Sequence, residues 1–311
     1  MASRSAKKVL VTGASGFIGS HTLSPLLDRD YDIHAVSFNS TGTPLPGVTW
    51  HHCDLFNPSS VATLIQATRP THLLHLAWSM VPGGMAEPRE HLRWLRASVE
   101  LVRRFQLSGG RRMVVAGSCA EYDWQCGHCV EDVTPLTDES AYGICKSTLG
   151  MICEDYSSSL ECGGAWARPF FVYGPGERVP RFVASIVSAL VRRKHAHCLH
   201  GEPSRDFLHV ADVASAFAAL VDSDVSGTVN IGSGRPVPLK TIAEYIARRL
   251  DATDLLQVGG RESGRHEPPL VYADVTRLTQ QVGWLPAYDL ERGLDDTIAW
   301  WQRQLKVKGV A

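Results

Sequence analysis

No apolar run in these 311 residues approaches the roughly 18 that a membrane-spanning helix requires, so no passage through a bilayer is expected. Net charge is nearly absent as well. Lys and Arg number 31 against 32 Asp and Glu, which excludes the broad one-signed surface of a nucleic-acid or membrane-surface binder; an anionic ligand must be gripped locally. Internal repeats and low-complexity tracts are missing. The apolar stretch from Val9 stops at Thr12 and Gly13, too soon for a secretory signal, so the eight cysteines are expected to be reduced thiols of a cytoplasmic protein. With 44% apolar and 20% charged residues, the chain has material for a large core, in two domains or in one with a sizeable extension.

Strand-like and helix-like segments alternate. Lys8 to Thr12, Ile33 to Phe38, His72 to Ala77, Met113 to Ala116 and Trp166 to Tyr173 read as strands. Phe17 to Leu27, Glu90 to Leu107 and Ala141 to Leu160 read as helices. After Gly174-Pro175-Gly176 come helices near Arg181 to Arg193, Ala211 to Val221, Leu239 to Leu250 and Leu290 to Gln304. Such alternation predicts an α/β fold, a parallel sheet covered by helices, with a boundary near 174.

The strongest signal is VTGASGFIGSH, residues 11–21. Gly13, Gly16 and Gly19 lie between a strand and a helix, where glycine permits the tight turn and lets backbone N–H groups reach a pyrophosphate at the helix N-terminus. At the end of the second strand an acidic residue would bind the adenosine ribose and select NAD. Ser37 stands there, with Asn39 and Ser40 following. Hydroxyl and amide groups donate to a 2′-phosphate that a carboxylate would repel, so NADP(H) is the expected cofactor and NAD the alternative. Asp54, in WHHCDLF, is placed for the adenine edge or as a turn cap.

Tyr142-Gly-Ile-Cys-Lys146 is the second constellation. Four apart on a helix, the two side chains share a face. Bringing a phenol from about 10 to near neutrality takes roughly 3 units, about 4 kcal/mol, and a close ammonium in a partly buried site supplies much of it. Tyr142 then becomes an acid or base, while Ser118, just after a strand in VVAGSCAEY, holds the substrate oxygen.

With these motifs the chain resembles the extended short-chain dehydrogenase/reductase family of nucleotide-sugar epimerases, dehydratases and reductases. The likeness is carried by TGASGFIG (12–19), DL (54–55), HLLHLA (72–77), GSCAEY (117–122), YGICK (142–146), RPFFVYGPGE (168–177), RDFLHVADVA (205–214), NIGSG (230–234) and ADVTRLTQQVGWLP (273–286). It implies a Rossmann-type doubly wound parallel sheet, residues 1–173 with about 206–232 returning to it. A smaller mixed α/β C-terminal substrate domain, 174–205 and 233–311, would grip a nucleoside diphosphate sugar. It also adds Ser15, Phe17, Ile18, Leu55, Leu76, Ala77 and Pro169 to the cofactor set, beside Tyr142 and Lys146.

Several positions depart from branches of that family. The 4,6-dehydratases carry an Asp-Glu pair after the catalytic hydroxyl, where Cys119 and Ala120 follow Ser118; Glu121 is one position late and, in an extended segment, would face away. The reductases that make GDP-fucose carry a cysteine at the place of Ala120. Cys119 reads as packing or as pocket lining. Ser98 replaces the active-site asparagine usual on the helix after the fourth strand, and Phe171 replaces the asparagine usual before V-Y-G-P. What remains is hydride chemistry at one carbon: reduction of a 4-keto-6-deoxy sugar nucleotide, with an NAD-dependent 4-epimerase and a non-catalytic dinucleotide sensor as alternatives.

The resemblance places Arg205 at the diphosphate with Arg265 or Arg261 as its partner, and Arg178 and Arg181 are further candidates. Cys126-Gly127-His128-Cys129 has dithiol spacing but lies in a loop between the Ser118 strand and the Tyr142 helix and offers too few ligands for zinc, so no metal is expected. His72 and His75 read as core histidines. A homodimer is expected through the helices at 90–107 and 141–160, with Leu149, Ile152 and Cys153 as the apolar stripe of the second.

Overall fold

The computed structural model describes residues 7–38, 44–79, 87–137, 139–160, 163–198, 201–259 and 268–307. Seven parallel strands form the main sheet. They are β1 (Lys8–Thr12), β2 (Asp32–Ser37), β3 (Val48–His52), β4 (His72–His75), β5 (Arg112–Ala116), β7 (Gly164–Pro169) and β11 (Gly227–Ile231), in the order β11-β7-β5-β4-β1-β2-β3. The order reverses beside β1, so the β1 and β4 ends open a crevice at their carboxyl edge.

Helices cover both faces because residues alternate sides along each strand. Val9 and Val11, with Ile33 and Ala35, pack under α1 (Phe17–Leu27) and α6 (Val210–Val221). Leu10, Val36 and Leu73 face the other way, onto α2 (Pro58–Thr68), α3 (Pro88–Leu107) and α4 (Ala141–Ser157). The expected doubly wound α/β sheet is therefore present.

A second layer gathers around β10 (Ser204–His209), which pairs with β8 (Phe171–Tyr173), β12 (Pro236–Pro238) and β14 (Leu270–Ala273); β14 also pairs with β6 (His128–Cys129). A two-stranded piece joins β9 (Ala196–Cys198) to β13 (Leu256–Val258). Helices α5 (Phe182–Val191), α7 (Leu239–Arg249) and α8 (Leu290–Val307) share an apolar core beside them. Among the described residues no helix is long and apolar enough to cross a membrane.

Two differences from the sequence reading have local causes. The run Trp166–Tyr173 is two strands, because Phe170 turns to give its N–H to Ile231 O and the chain leaves the large sheet for the small one. Helix α2 was not anticipated, although Asn57 caps it, accepting from Ser59 N at 3.0 Å, and Pro58 opens its first turn.

Candidate active site

The turn from β1 to α1 is closed by contact rather than by a capping side chain. Gly13 sits at φ +71°, and a Cβ there would stand 2.7 Å from Ala77 N, where the segment after β4 crosses. A Cβ on Gly19 would strike Gly13 O. Gly16 caps α1 without any side-chain hydrogen bond, which leaves the first-turn N–H groups at the positive helix end, beside exposed Ser15 and half-buried Phe17. Ile18 packs toward the core. Leu76 is tied to the turn through its N–H on Thr12 O.

Ser37 ends β2 and is buried, while Pro169 ends β7. Asn39 and Ser40 lie outside the described residues. Asp54 Oδ1 accepts from Phe56 N at 2.9 Å, the turn-cap geometry that was its alternative. Leu55 is a core residue.

Ser118 caps a single 3₁₀ turn, Cys119–Glu121. Its Oγ accepts from Ala120 N at 3.1 Å, and its own N–H donates to Glu121 Oε1 at 2.7 Å, a reciprocal capping box. The segment is thus not extended, as the placing of Glu121 had assumed. Because the turn closes, Glu121 folds inward to zero exposure, accepting from Arg168 Nε at 2.8 Å and Trp166 Nε1 at 2.9 Å.

Helix α4, capped by Ser140 Oγ on Gly143 N, packs on the turn that carries Ser118 and brings Tyr142 to it. Burial raises the phenol to about 12, opposed by the Ser118 hydroxyl and by the charge of Arg181. The expectation of a near-neutral phenol is therefore corrected. Lys146 lies one turn further along α4, and its ammonium donates to Ala116 O at 2.7 Å. Burial lowers that lysine to about 8.

Two neighbours were not picked out in the sequence. Trp78 presents its ring face to Lys146 Nζ at 4.1 Å, and His91 of α3 lies with its ring 5.3 Å from that of Tyr142. Ser98, which replaces the asparagine usual in relatives, is turned into the core. It is fully buried, hydrogen-bonded to His75 Nε2 at 2.8 Å, while His75 Nδ1 meets Thr12 Oγ1 at 2.6 Å. His91 sits seven positions earlier on the same helix face, and that spacing was the available signal.

The model of the NAD dependent epimerase/dehydratase family matches residues 9–232. The chain belongs to that family. It is 26% identical to dTDP-6-deoxy-L-talose 4-dehydrogenase (NAD(+)) of Aggregatibacter actinomycetemcomitans over 253 residues, 77% of this chain and 89% of that relative. UDP-glucose 4-epimerase of Thermotoga maritima superposes with a TM-score of 0.86 at 22% identity, covering 96% of this chain and 99% of the other. That likeness is one of fold. MoeE5, solved with UDP-glucose and NAD, gives a TM-score of 0.84 at 27% identity, with 96% and 99% covered.

In this member of the epimerase/dehydratase family the other expected substrate contacts differ in burial. Cys119 is buried with Tyr122, Cys129 and Phe170, and burial raises its thiol. Phe171 lies on β8 with the Arg205 guanidinium 5.9 Å from its ring, and Arg205 itself is only 4% exposed and donates to Ser204 O. Arg181 caps α5, and both it and Arg178 are exposed. Arg261 and Arg265 lie outside the described residues.

The thiol loop is split by its backbone. Cys126 is exposed and Cys129 fully buried, while His128 between them stacks on Tyr272 at 4.4 Å. Of the stripe expected at a dimer contact, Ile152 is half-buried. Leu149 and Cys153 are spent inside the chain's own core against Leu101, Val102 and Phe105. The large apolar side chains exposed on α3 and α4 include Leu92, Ile144 and Met151.

Proposed function

We propose that the protein is an NAD(P)H-dependent reductase of a nucleotide-activated sugar, acting as a 4-ketoreductase on an NDP-4-keto-6-deoxyhexose. The observation that carries this reading is the placing of Tyr142: it is buried on α4 together with Lys146, where burial favours the protonated phenol. A phenol so held is fitted to give a proton to an oxygen that is becoming an alkoxide. An epimerase would need the same group to remove a proton from an alcohol as readily as it gives one back.

The glycine turn supports a dinucleotide. Side chains at Gly13 and Gly19 would fill it, and the uncapped start of α1 directs N–H groups toward a diphosphate. Gly13, Gly16, Gly19, Ser37 and Lys146 would hold it, and when bound it supplies the hydride. Ser37, with no carboxylate at the end of β2, favours NADPH. Ser118 then orients the sugar carbonyl, Tyr142 protonates its oxygen, and Lys146 provides positive charge nearby.

Elimination chemistry lacks support. Cys119 and Ala120 follow Ser118, and Glu121 is engaged with Arg168. The relative named as a 6-deoxy-talose 4-dehydrogenase favours the same carbon and sugar class. The large sheet and its helices would carry the dinucleotide, and the second layer around β10, into which residues 171–173 and 206–209 fall, the sugar nucleotide, through Arg178, Arg181 and Arg205. Incubation with NADPH and a panel of keto and ordinary sugar nucleotides, following cofactor absorbance and product together, tests the proposal; turnover of ordinary hexoses alone would overturn it.

A further inference from the structure

An ammonium buried beside a phenol needs more than one neighbour to stay charged. Lys146 Nζ has one hydrogen bond to a backbone carbonyl, Ala116 O, and a second side covered by the face of Trp78 at 4.1 Å. Trp78 is itself held. Its indole N–H donates to His91 Nδ1 at 3.3 Å, and its ring is stacked on those of His91 and Trp94, each at 6.2 Å. It meets Tyr142 edge-on at 6.2 Å, with 75° between the planes. Since Nδ1 of His91 accepts, the neutral ring carries its proton on Nε2, which is buried without a hydrogen-bond partner.

We propose that Trp78, oriented by His91, is a positioning residue for Lys146, holding its charged ammonium on the indole face beside Tyr142. The proposal rests on the reading of Tyr142 and Lys146 as the catalytic pair. The ring quadrupole attracts a cation most strongly where water is excluded, and Lys146 is buried. Without the ring, burial would drive the lysine toward its neutral form and remove its positive charge from the site. His91 supplies direction: its acceptor fixes the plane of the indole, and its ring fills the space against Tyr142.

The other groups facing Lys146 do not replace this contact. Glu121, from the turn after β5, favours the charged lysine electrostatically. Glu121 is nonetheless already bonded to Arg168, Trp166 and Ser118 N. Burial raises the Cys153 thiol to about 12 and holds the His75 imidazole on β4 down at about 3, so both are uncharged where Lys146 titrates. Tyr142, at about 12, is uncharged there too. His91, from α3, bears on Tyr142 and Trp78.

The test uses the full chain in two ways. In the protein without added cofactor, tryptophan emission followed against pH should show a transition near pH 8 as Lys146 loses its charge beneath Trp78. That transition should vanish in Lys146→Met and in Trp78→Phe, with far-ultraviolet circular dichroism unchanged. In turnover with NADPH and a keto sugar nucleotide, the alkaline limb should move about one pH unit toward acid in Trp78→Leu. Trp78→Phe should restore most of that shift, and His91→Phe should give a smaller one. A merely structural tryptophan would lower activity at every pH without moving the limb, and that result overturns the proposal. So does an emission transition that persists in Lys146→Met. The emission transition without any turnover of a sugar nucleotide would support the Trp78 contact and reject the reductase reading.

Discussion

The carboxylate of Glu121 takes both the backbone N–H of Ser118, at 2.7 Å, and the guanidinium of Arg168, at 2.8 Å. One fully buried acid therefore shapes the turn that presents the candidate hydroxyl and neutralises a buried cation from β7.

Glu121→Ala should accordingly lower unfolding stability by about 3–5 kcal/mol, the cost of leaving a buried charge unpaired. Glu121→Gln, which keeps an acceptor for Ser118 N, should lose less stability and retain more turnover. Urea unfolding checks the first expectation and steady-state kinetics the second; equal stability of Glu121→Ala and the parent would contradict both.

Glu177 gives a stability effect with a defined pH sense. Burial raises its carboxyl from 4.5 to about 8, with Ala184 N as a hydrogen-bond donor and Arg181 opposing the rise. The folded state binds this proton more tightly than the unfolded one, so its contribution is complete below about 4.5 and is lost as pH climbs to about 8. Glu177→Gln should remove that dependence. Above pH 8 it should exceed the parent in stability by on the order of a few kcal/mol; parallel urea midpoints from pH 4 to 9 would rule this out.

How much of this was legible in the residues themselves depends on distance along the chain. The turn at 13–19 and the strand and helix flanking it were plain, because glycine spacing and apolar period are local. Tyr142 and Lys146 were legible as a pair on one face, but not the path of the lysine stem to Ala116 O, which belongs to a strand thirty residues earlier. Trp78 and His91 were silent, since their pairing forms only when the segment after β4 and the start of α3 close over α4. Asp206 was likewise read only as part of a motif. It accepts from Ser233 N at 2.7 Å, Gly234 N at 2.9 Å and Ala273 N at 3.1 Å, joining three segments of the second layer.

Cofactor choice turns on Ser37. NADPH should bind more tightly than NADH, and Ser37→Asp should reverse the order by repelling the 2′-phosphate. Fluorescence titration with both nucleotides measures it; an NADH preference in the parent would refute the assignment.

Association should follow the exposed apolar side chains rather than the buried stripe. We expect a homodimer through α3 and α4, with Met151→Glu shifting it to monomer and Leu149→Ala instead lowering stability by about 2–5 kcal/mol. Light scattering of the parent at micromolar concentration decides the first point, and a monomer there would contradict it.

The central claim is that Tyr142 gives a proton to a sugar oxygen in a net reduction. The most direct measurement is the stoichiometry of NADPH loss against product formed from an NDP-4-keto-6-deoxyhexose, made in parallel with Tyr142→Phe. The account predicts one NADPH consumed per alcohol formed, and in Tyr142→Phe a turnover lower by roughly 10² to 10⁴ with sugar-nucleotide binding nearly unchanged. Inversion of a sugar alcohol with no net loss of NADPH, or full turnover in Tyr142→Phe, would contradict it.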